Sequence, residues 1–171
     1  MTGSIGIVST GMYIPEGYIT AAEIAAQSGM PEWVVREKLG IERKPVASPD
    51  DQPNQMAVWA AQDALAKADL DPQEIDVVLC TTEEWKEYLL WTAGIDLAYQ
   101  IGATRAWAID VHMRCATTVA ALKMAKDMMI ADPDINTILI GGGYRVGDLI
   151  DLRNTRTSFL FNISAGAGAM I

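Results

Sequence analysis

Ala106-Trp-Ala-Ile-Asp-Val-His-Met-Arg-Cys115-Ala-Thr-Thr-Val-Ala-Ala-Leu-Lys-Met-Ala-Lys-Asp-Met-Met129 changes its hydrophobic period part-way along. Trp107 to Val111 is an apolar run of strand length, whereas Val119, Leu122, Ala125 and Met129 recur at helical spacing. The stretch therefore predicts a strand, a turn and a helix, with Cys115 at the handover. A cysteine there lies beside the free N–H groups and positive dipole end of the helix, which favours thiolate over thiol. Thiolate is the state that an acyl-accepting nucleophile needs. The competing reading is a small apolar side chain packed in the core, since free cysteines are among the most buried residues.

The segments on either side repeat the alternation. Upstream, Asp76-Val-Val-Leu-Cys80-Thr-Thr82 has the apolar density of a central parallel strand. It is preceded by the clearest helix, Asn54 to Leu70, whose buried face is Ala57, Ala61, Ala64, Leu65 and Ala68. A further helix is expected from about Thr92 to Ile101, and a strand over Thr137-Ile-Leu-Ile-Gly141. Strands alternating with helices imply βαβ units, hence an α/β fold with a mostly parallel sheet and helices on both faces.

Nearer the N-terminus, Ile5 to Ser9 reads as a buried strand interrupted by Gly11 and Pro15. Thr20 with Glu23 three residues on forms a capping box that starts a helix. A second helix runs from near Pro31 to Gly40, followed by a polar, proline-rich loop to Asn54. Ser158 to Ile171 reads as a last strand with an apolar end, an edge that a complete sheet would normally cover. Residues 1–171 are thus expected to form one domain that is half of a larger whole, either of one chain or of a split pair.

Composition excludes several classes. Half of the 171 residues are hydrophobic and 20% are charged, so a packed core is expected rather than disorder. A net charge of −9 argues against nucleic acid as a partner. No apolar run reaches the roughly 18 residues of a membrane span, and Met1-Thr-Gly-Ser-Ile-Gly has no secretory pattern. Two cysteines make no disulfide framework, and no metal cluster is expected, which together suggest a reducing cytoplasm. Gly141-Gly-Gly143 after a strand lacks the spacing of a dinucleotide fingerprint, because position 146 is Val. His112 is too near Cys115 in sequence to be its base, and reads as a surface or structural residue. Glu83, Glu84 and Glu87 follow the Asp76–Thr82 strand, at the edge where α/β proteins place their sites; a solvated turn is the alternative.

Three motifs in order carry a resemblance. Asp110-Val-x-x-x-Cys115 before a helix resembles the nucleophile segment of the thiolase-fold condensing enzymes, especially β-ketoacyl-acyl-carrier-protein synthase III. Glu32-Trp33-Val-Val with Gly40-Ile-Glu-Arg43 is similar to that family's Asp-Glu-Trp-Ile and Gly-Ile-x-x-Arg. Gly166-Ala-Gly-Ala169 is similar to its Gly-Asp-Gly-Ala-Gly-Ala. The likeness covers the whole chain and implies the N-terminal half of a thiolase-like fold.

The resemblance further implies an acyltransferase in which Cys115 is acylated by a coenzyme A thioester, with no other cofactor, before a Claisen condensation. Trp33 would stack on the adenine of coenzyme A, and Arg36 or Lys38 with Arg156 would lie near its phosphates. Glu83 follows Thr82 as a catalytic glutamate follows threonine in 3-hydroxy-3-methylglutaryl-CoA synthase, a sister family, which keeps a non-decarboxylating or thiolase-like condensation open. A non-catalytic partner subunit is the remaining alternative. The family's catalytic histidine and asparagine belong to its C-terminal half, so the resemblance implies a complementary half or subunit in a homo- or hetero-oligomer, with acyl carrier protein as a further candidate partner. The chain departs from the pattern at Arg114, at Ala116-Thr117 and at Ala165. These departures bear on the acyl group accepted more than on the chemistry.

Overall fold

The computed structural model describes residues 4–81, 87–88 and 90–171. Its strands are β1 (Thr10–Tyr13), β2 (Tyr18–Thr20), β3 (Arg43–Pro45), β4 (Val77–Thr81), β5 (Trp107–Val111), β6 (Ile138–Tyr144) and β7 (Gly166–Met170). Its α-helices are α1 (Ala21–Ser28), α2 (Pro53–Ala68), α3 (Ala93–Ile101) and α4 (Thr117–Ala131). The main sheet has the order β1-β7-β6-β4-β5. β4 pairs in parallel with β5 and β6, while β7 runs antiparallel to both β6 and β1. Four of the five strands therefore share one direction and only β7 is reversed.

Period-two alternation divides the central strands between two faces. Val78, Cys80 and Leu139 point to one side, where they pack with Ala57, Ala61 and Ala64 of α2 and Leu97 and Ile101 of α3. Val77, Leu79, Ile138 and Ile140 point to the other, against Ala121 and Ala125 of α4. Every residue of β4 is buried, which accounts for its unbroken apolar sequence. The α/β class with helices on both faces follows directly. Among the described residues, no helix is long and apolar enough to cross a membrane.

A second, smaller cluster sits apart from the sheet. β2 and β3 pair antiparallel, and Ala21 and Ile24 of α1 pack with Val35, Ile41 and Phe161. The capping box at the start of α1 is present: the Glu23 N–H donates to Thr20 Oγ1 at 3.3 Å, and the Thr20 N–H to Glu23 Oε2 at 2.8 Å.

Several expectations need correction. The N-terminal strand lies at Thr10–Tyr13 rather than Ile5–Ser9, and Val8 is 73% exposed. Gly11, read as a breaker, is inside β1 because the strand crosses α2 backbone to backbone; a Cβ there would lie 2.1 Å from the Ala60 carbonyl. The segment between Pro31 and Gly40 contains a π-type turn, Val34–Lys38, closed by the Leu39 N–H on the Val34 carbonyl. The final strand is only Gly166–Met170; before it, Thr155–Leu160 is a 3₁₀ segment leading to Phe161, which is anchored in the small cluster. In α4 the buried row is Thr117, Ala121 and Ala125, while Val119 is 69% exposed. Leu122 and Met129 pack against the same cluster as Ala121 and Ala125, so the expected spacing holds there and fails only at Val119. The Gly141–Gly143 run belongs to β6 and serves packing: a Cβ on Gly143 would lie 2.1 Å from the Pro53 carbonyl, where α2 begins.

Candidate active site

Because β1, β4, β5 and β6 share a direction, their C-terminal ends fall on one edge of the sheet. At that edge β1 leaves for the small cluster, β6 leaves for Arg145 and the 3₁₀ segments, and β5 leaves for Cys115. α/β sheets bind ligands along such an edge.

Cys115 lies in a one-turn 3₁₀ segment, Arg114–Ala116, between β5 and α4. It is exposed, whereas Cys80 on β4 is buried at 2%. Arg114, immediately before it, has φ +53°, a left-handed conformation that a non-glycine residue adopts only at a cost of about 1–2 kcal/mol. Thr117, 1% exposed, closes the turn from inside. Its Oγ1 accepts the Met113 N–H at 2.8 Å and donates to the Arg114 carbonyl at 2.6 Å. His112, Met113, Arg114 and Ala116 are all exposed around it.

One turn of backbone earlier, Asp110 ties β5 to α3. The N–H groups of Ala93 and Gly94 donate to its carboxylate at 3.2 and 2.8 Å. Thr92 gives α3 no side-chain cap, so a carboxylate from the neighbouring strand satisfies the helix start and complements its dipole.

The acidic residues after β4 divide between two situations. Glu83 and Glu84 lie outside the described residues. Glu87 accepts the Asn54 N–H at 2.6 Å, which makes it the cap of α2. Asn54, 4% exposed, also donates through Nδ2 to Asp96 of α3 at 2.7 Å, so the starts of the two helices are held together.

The coenzyme A candidates lie on two segments anchored in the small cluster. Trp33 is 53% exposed and opens the π-type turn, with Val35 pointing inward beside Phe161. Arg36 is bracketed by Glu32, at 2.7 Å, and Glu42. Lys38, at the end of the same turn, is exposed. Arg156 is also exposed, on the 3₁₀ segment that delivers Phe161 to the cluster, and its N–H donates to Asn154 Oδ1. Val35 and Phe161 share one cluster, so the turn that carries Trp33, Arg36 and Lys38 and the segment that carries Arg156 are attached to the same core. Lys44 of β3 fastens this part of the chain: it is 8% exposed and donates to the Ile163 carbonyl at 2.8 Å. Burial pushes its ammonium pKa down, against the opposing pull of Asp148.

A polar network at the same edge gave no sequence signal. The Tyr13 hydroxyl donates to Asp51 Oδ1 at 2.6 Å, and the Ser48 N–H to Asp51 Oδ2 at 2.7 Å. Arg145 pairs with Asp148 at 2.7 Å and donates to the carbonyls of Ser48 and Asp51. Tyr13 also packs on Trp59 of α2, ring centroids 4.5 Å apart. These contacts fix the loop before α2 against the ends of β1 and β6.

The family model of 3-oxoacyl-[acyl-carrier-protein (ACP)] synthase III matches residues 109–171. The chain is 32% identical over 94% of its length to β-ketoacyl-[acyl-carrier-protein] synthase III of Jannaschia sp. (strain CCS1), covering 49% of that protein. It is 30% identical over 96% of its length to the enzyme of the same name from Bacillus pumilus (strain SAFR-032), covering 52% of it. The structure superimposes on the priming β-ketosynthase of the R1128 polyketide biosynthetic pathway with a TM-score of 0.84 and 29% identity, over 96% of this chain and 48% of that one. The chain matches the N-terminal half of the synthase III condensing enzymes. Its fold is thiolase-like.

The synthase III match begins in β5 and takes in Asp110, Cys115, Thr117, α4, β6 and β7. The chain spans about half the length of the curated synthase III relatives it matches.

Proposed function

We propose that this chain supplies the nucleophile-bearing half of an acyltransferase that joins carbon to carbon by Claisen condensation. The observation that carries the reading is Cys115 itself: an exposed thiol on a tightened turn between β5 and α4, inside the stretch that matches the synthase III family. In the first step the Cys115 thiolate attacks the carbonyl carbon of an acyl-CoA. The tetrahedral adduct collapses, the bond from that carbon to the coenzyme A sulfur breaks, and coenzyme A leaves as a thiolate. In the second step a carbanion attacks the acyl carbon and the Cys115 sulfur leaves. That carbanion forms at the α-carbon of a second thioester, by loss of carbon dioxide from a malonyl group or by removal of a proton. Glu83 is the residue we assign to proton removal or to polarising the substrate.

Trp33 offers an exposed ring for the adenine of coenzyme A. Arg36 is already held between two carboxylates, so Lys38 and Arg156 are the stronger candidates for the phosphates. The synthase III relatives are twice as long, which supports a C-terminal complement as partner and an oligomer as the working form. The relatives' name supports an acyl carrier protein as the second substrate's carrier. An exposed thiol nucleophile suits a reducing compartment such as the cytoplasm.

The test is condensation with and without the missing half. Purified alone, the chain should associate or aggregate and form no condensation product from acyl-CoA and malonyl thioesters. Addition of a synthase III C-terminal half should give a soluble oligomer and a β-ketoacyl product. A soluble, active monomer of the 171 residues alone would contradict the reading.

A further inference from the structure

We propose that Thr117 is the positioning residue of the Cys115 turn, a role carried by a side chain at one of the positions where the chain departs from the synthase III pattern. The inference rests on the acyl-transfer reading and adds to it the group that aims the sulfur.

β5 ends at Val111 and α4 starts at Thr117, so Met113 and Arg114 belong to neither ladder. Met113 has φ −145° and ψ 37°, and Arg114 has φ +53°, so both stand outside helical and strand geometry. Backbone groups at such a corner need partners from outside the regular elements. The Arg114 carbonyl receives the Thr117 N–H, and the Thr117 hydroxyl adds a second bond there while serving the Met113 N–H. The hydroxyl accepts the Met113 N–H and donates its single proton to the Arg114 carbonyl, at 2.8 and 2.6 Å. An oxygen that both accepts and donates fixes the hydroxyl rotor, and at 1% exposure no water competes with it.

A threonine in a first helical turn more often only donates to a carbonyl three or four residues back. Here it also receives an N–H from four residues back, so the two bonds close around Arg114 and leave Cys115 as the residue between the pinned carbonyl and the helix start. Cys115 keeps an exposed side chain on a backbone held from its buried side. The left-handed Arg114 is the element under strain, and its carbonyl takes two bonds from Thr117, one from the backbone N–H and one from the hydroxyl.

Three proteins separate this role from simple packing: the wild type, Thr117→Val, which keeps the shape and loses the hydroxyl, and Thr117→Ser, which keeps the hydroxyl and loses the methyl. Each is assembled with a synthase III C-terminal half, and two rates at Cys115 are read by peptide mass spectrometry. One is acyl transfer from acetyl-CoA, which needs an aimed sulfur. The other is alkylation by iodoacetamide, which needs only an accessible one. Thr117→Val should lower acyl transfer by about tenfold or more, in line with the sensitivity of such steps to displacements near 1 Å, and alkylation by less than about threefold. Thr117→Ser should restore acyl transfer. If Thr117→Val does not fold, Thr117→Ala replaces it, with the same expectation. Equal acyl transfer in Thr117→Val and wild type overturns the positioning role and leaves the acyl-transfer reading standing. Loss of acyl transfer in Thr117→Ser as well overturns it too, by assigning the effect to the methyl group. A wild-type assembly that is alkylated but never acylated overturns the underlying reading, and the positioning role with it.

Discussion

The Tyr13 hydroxyl donates a 2.6 Å hydrogen bond to the Asp51 carboxylate, joining the end of β1 to the loop that leads into α2. Each partner changes the other's acidity. The hydrogen bond to Asp51, then burial, then the Asp51 charge push the Tyr13 pKa up to about 12. For Asp51, burial works upward, but the Tyr13 and Ser48 hydrogen bonds and the Arg145 charge bring it below the ordinary carboxylate value.

The direction of the pH dependence follows. A tyrosine whose pKa is raised on folding adds stability that is complete below its unfolded value of about 10 and is lost as pH rises toward 12. An aspartate whose pKa is lowered adds stability that is complete above its unfolded value of about 4 and is lost as pH falls below that. Denaturant midpoints should therefore decline on both sides of this window. Tyr13→Phe should flatten the alkaline limb between pH 10 and 12 and lower stability at neutral pH. An alkaline limb identical in Tyr13→Phe would show that the pair does not set it.

Asp110 holds the start of α3 with two charge-assisted hydrogen bonds from Ala93 and Gly94. Asp110→Ala should cost about 2 kcal/mol, the range of a lost cap plus a charged hydrogen bond. Asp110→Asn should cost less, because its amide oxygen still accepts one N–H. Calorimetric melting of the two variants checks the order. A melting temperature unchanged in Asp110→Ala would contradict the capping role.

Trp33 is half exposed at the mouth of the π-type turn, while Val35 supplies the packing beneath. Trp33→Ala should therefore leave the melting temperature nearly unchanged. It should weaken acyl-CoA binding by roughly tenfold, as expected for the loss of about 1–3 kcal/mol of base stacking. Calorimetric titration with acyl-CoA reads this directly. A large fall in melting temperature with unaltered binding would make Trp33 a packing residue instead.

How much of this was legible in the sequence depends on the range of the interaction involved. β5, the helix start at Thr20 and the buried row of α2 were readable because strand period, capping and helix period are local patterns. The α/β class followed from their alternation. Of the α4 residues at helical spacing, Leu122, Ala125 and Met129 face the core and Val119 does not, because the buried first-turn position belongs to Thr117. Gly11 looked like a breaker because the backbone of α2, which it admits, lies 49 residues or more away in sequence. Ser158–Phe161 has the apolar density of a strand, but Phe161 packs in the small cluster and Phe159 is exposed, so the stretch forms a 3₁₀ segment and joins no sheet. At the candidate site, Cys115 is legible from its place between two hydrophobic periods, whereas Thr117 carries no signal beyond its departure, with Ala116, from the pattern of the resembling family. The Tyr13–Asp51–Arg145 network joins three distant segments and has no sequence pattern at all.

Acylation of Cys115 by a coenzyme A thioester is read most directly from the site of the adduct. The chain, assembled with a synthase III C-terminal half, is incubated with an acyl-CoA, digested, and both cysteine peptides are analysed by mass spectrometry. The account predicts the acyl mass on the peptide containing Cys115 and none on the peptide containing Cys80, which is buried in β4. An adduct on Cys80, or an assembly in which Cys115 stays unmodified, would contradict it.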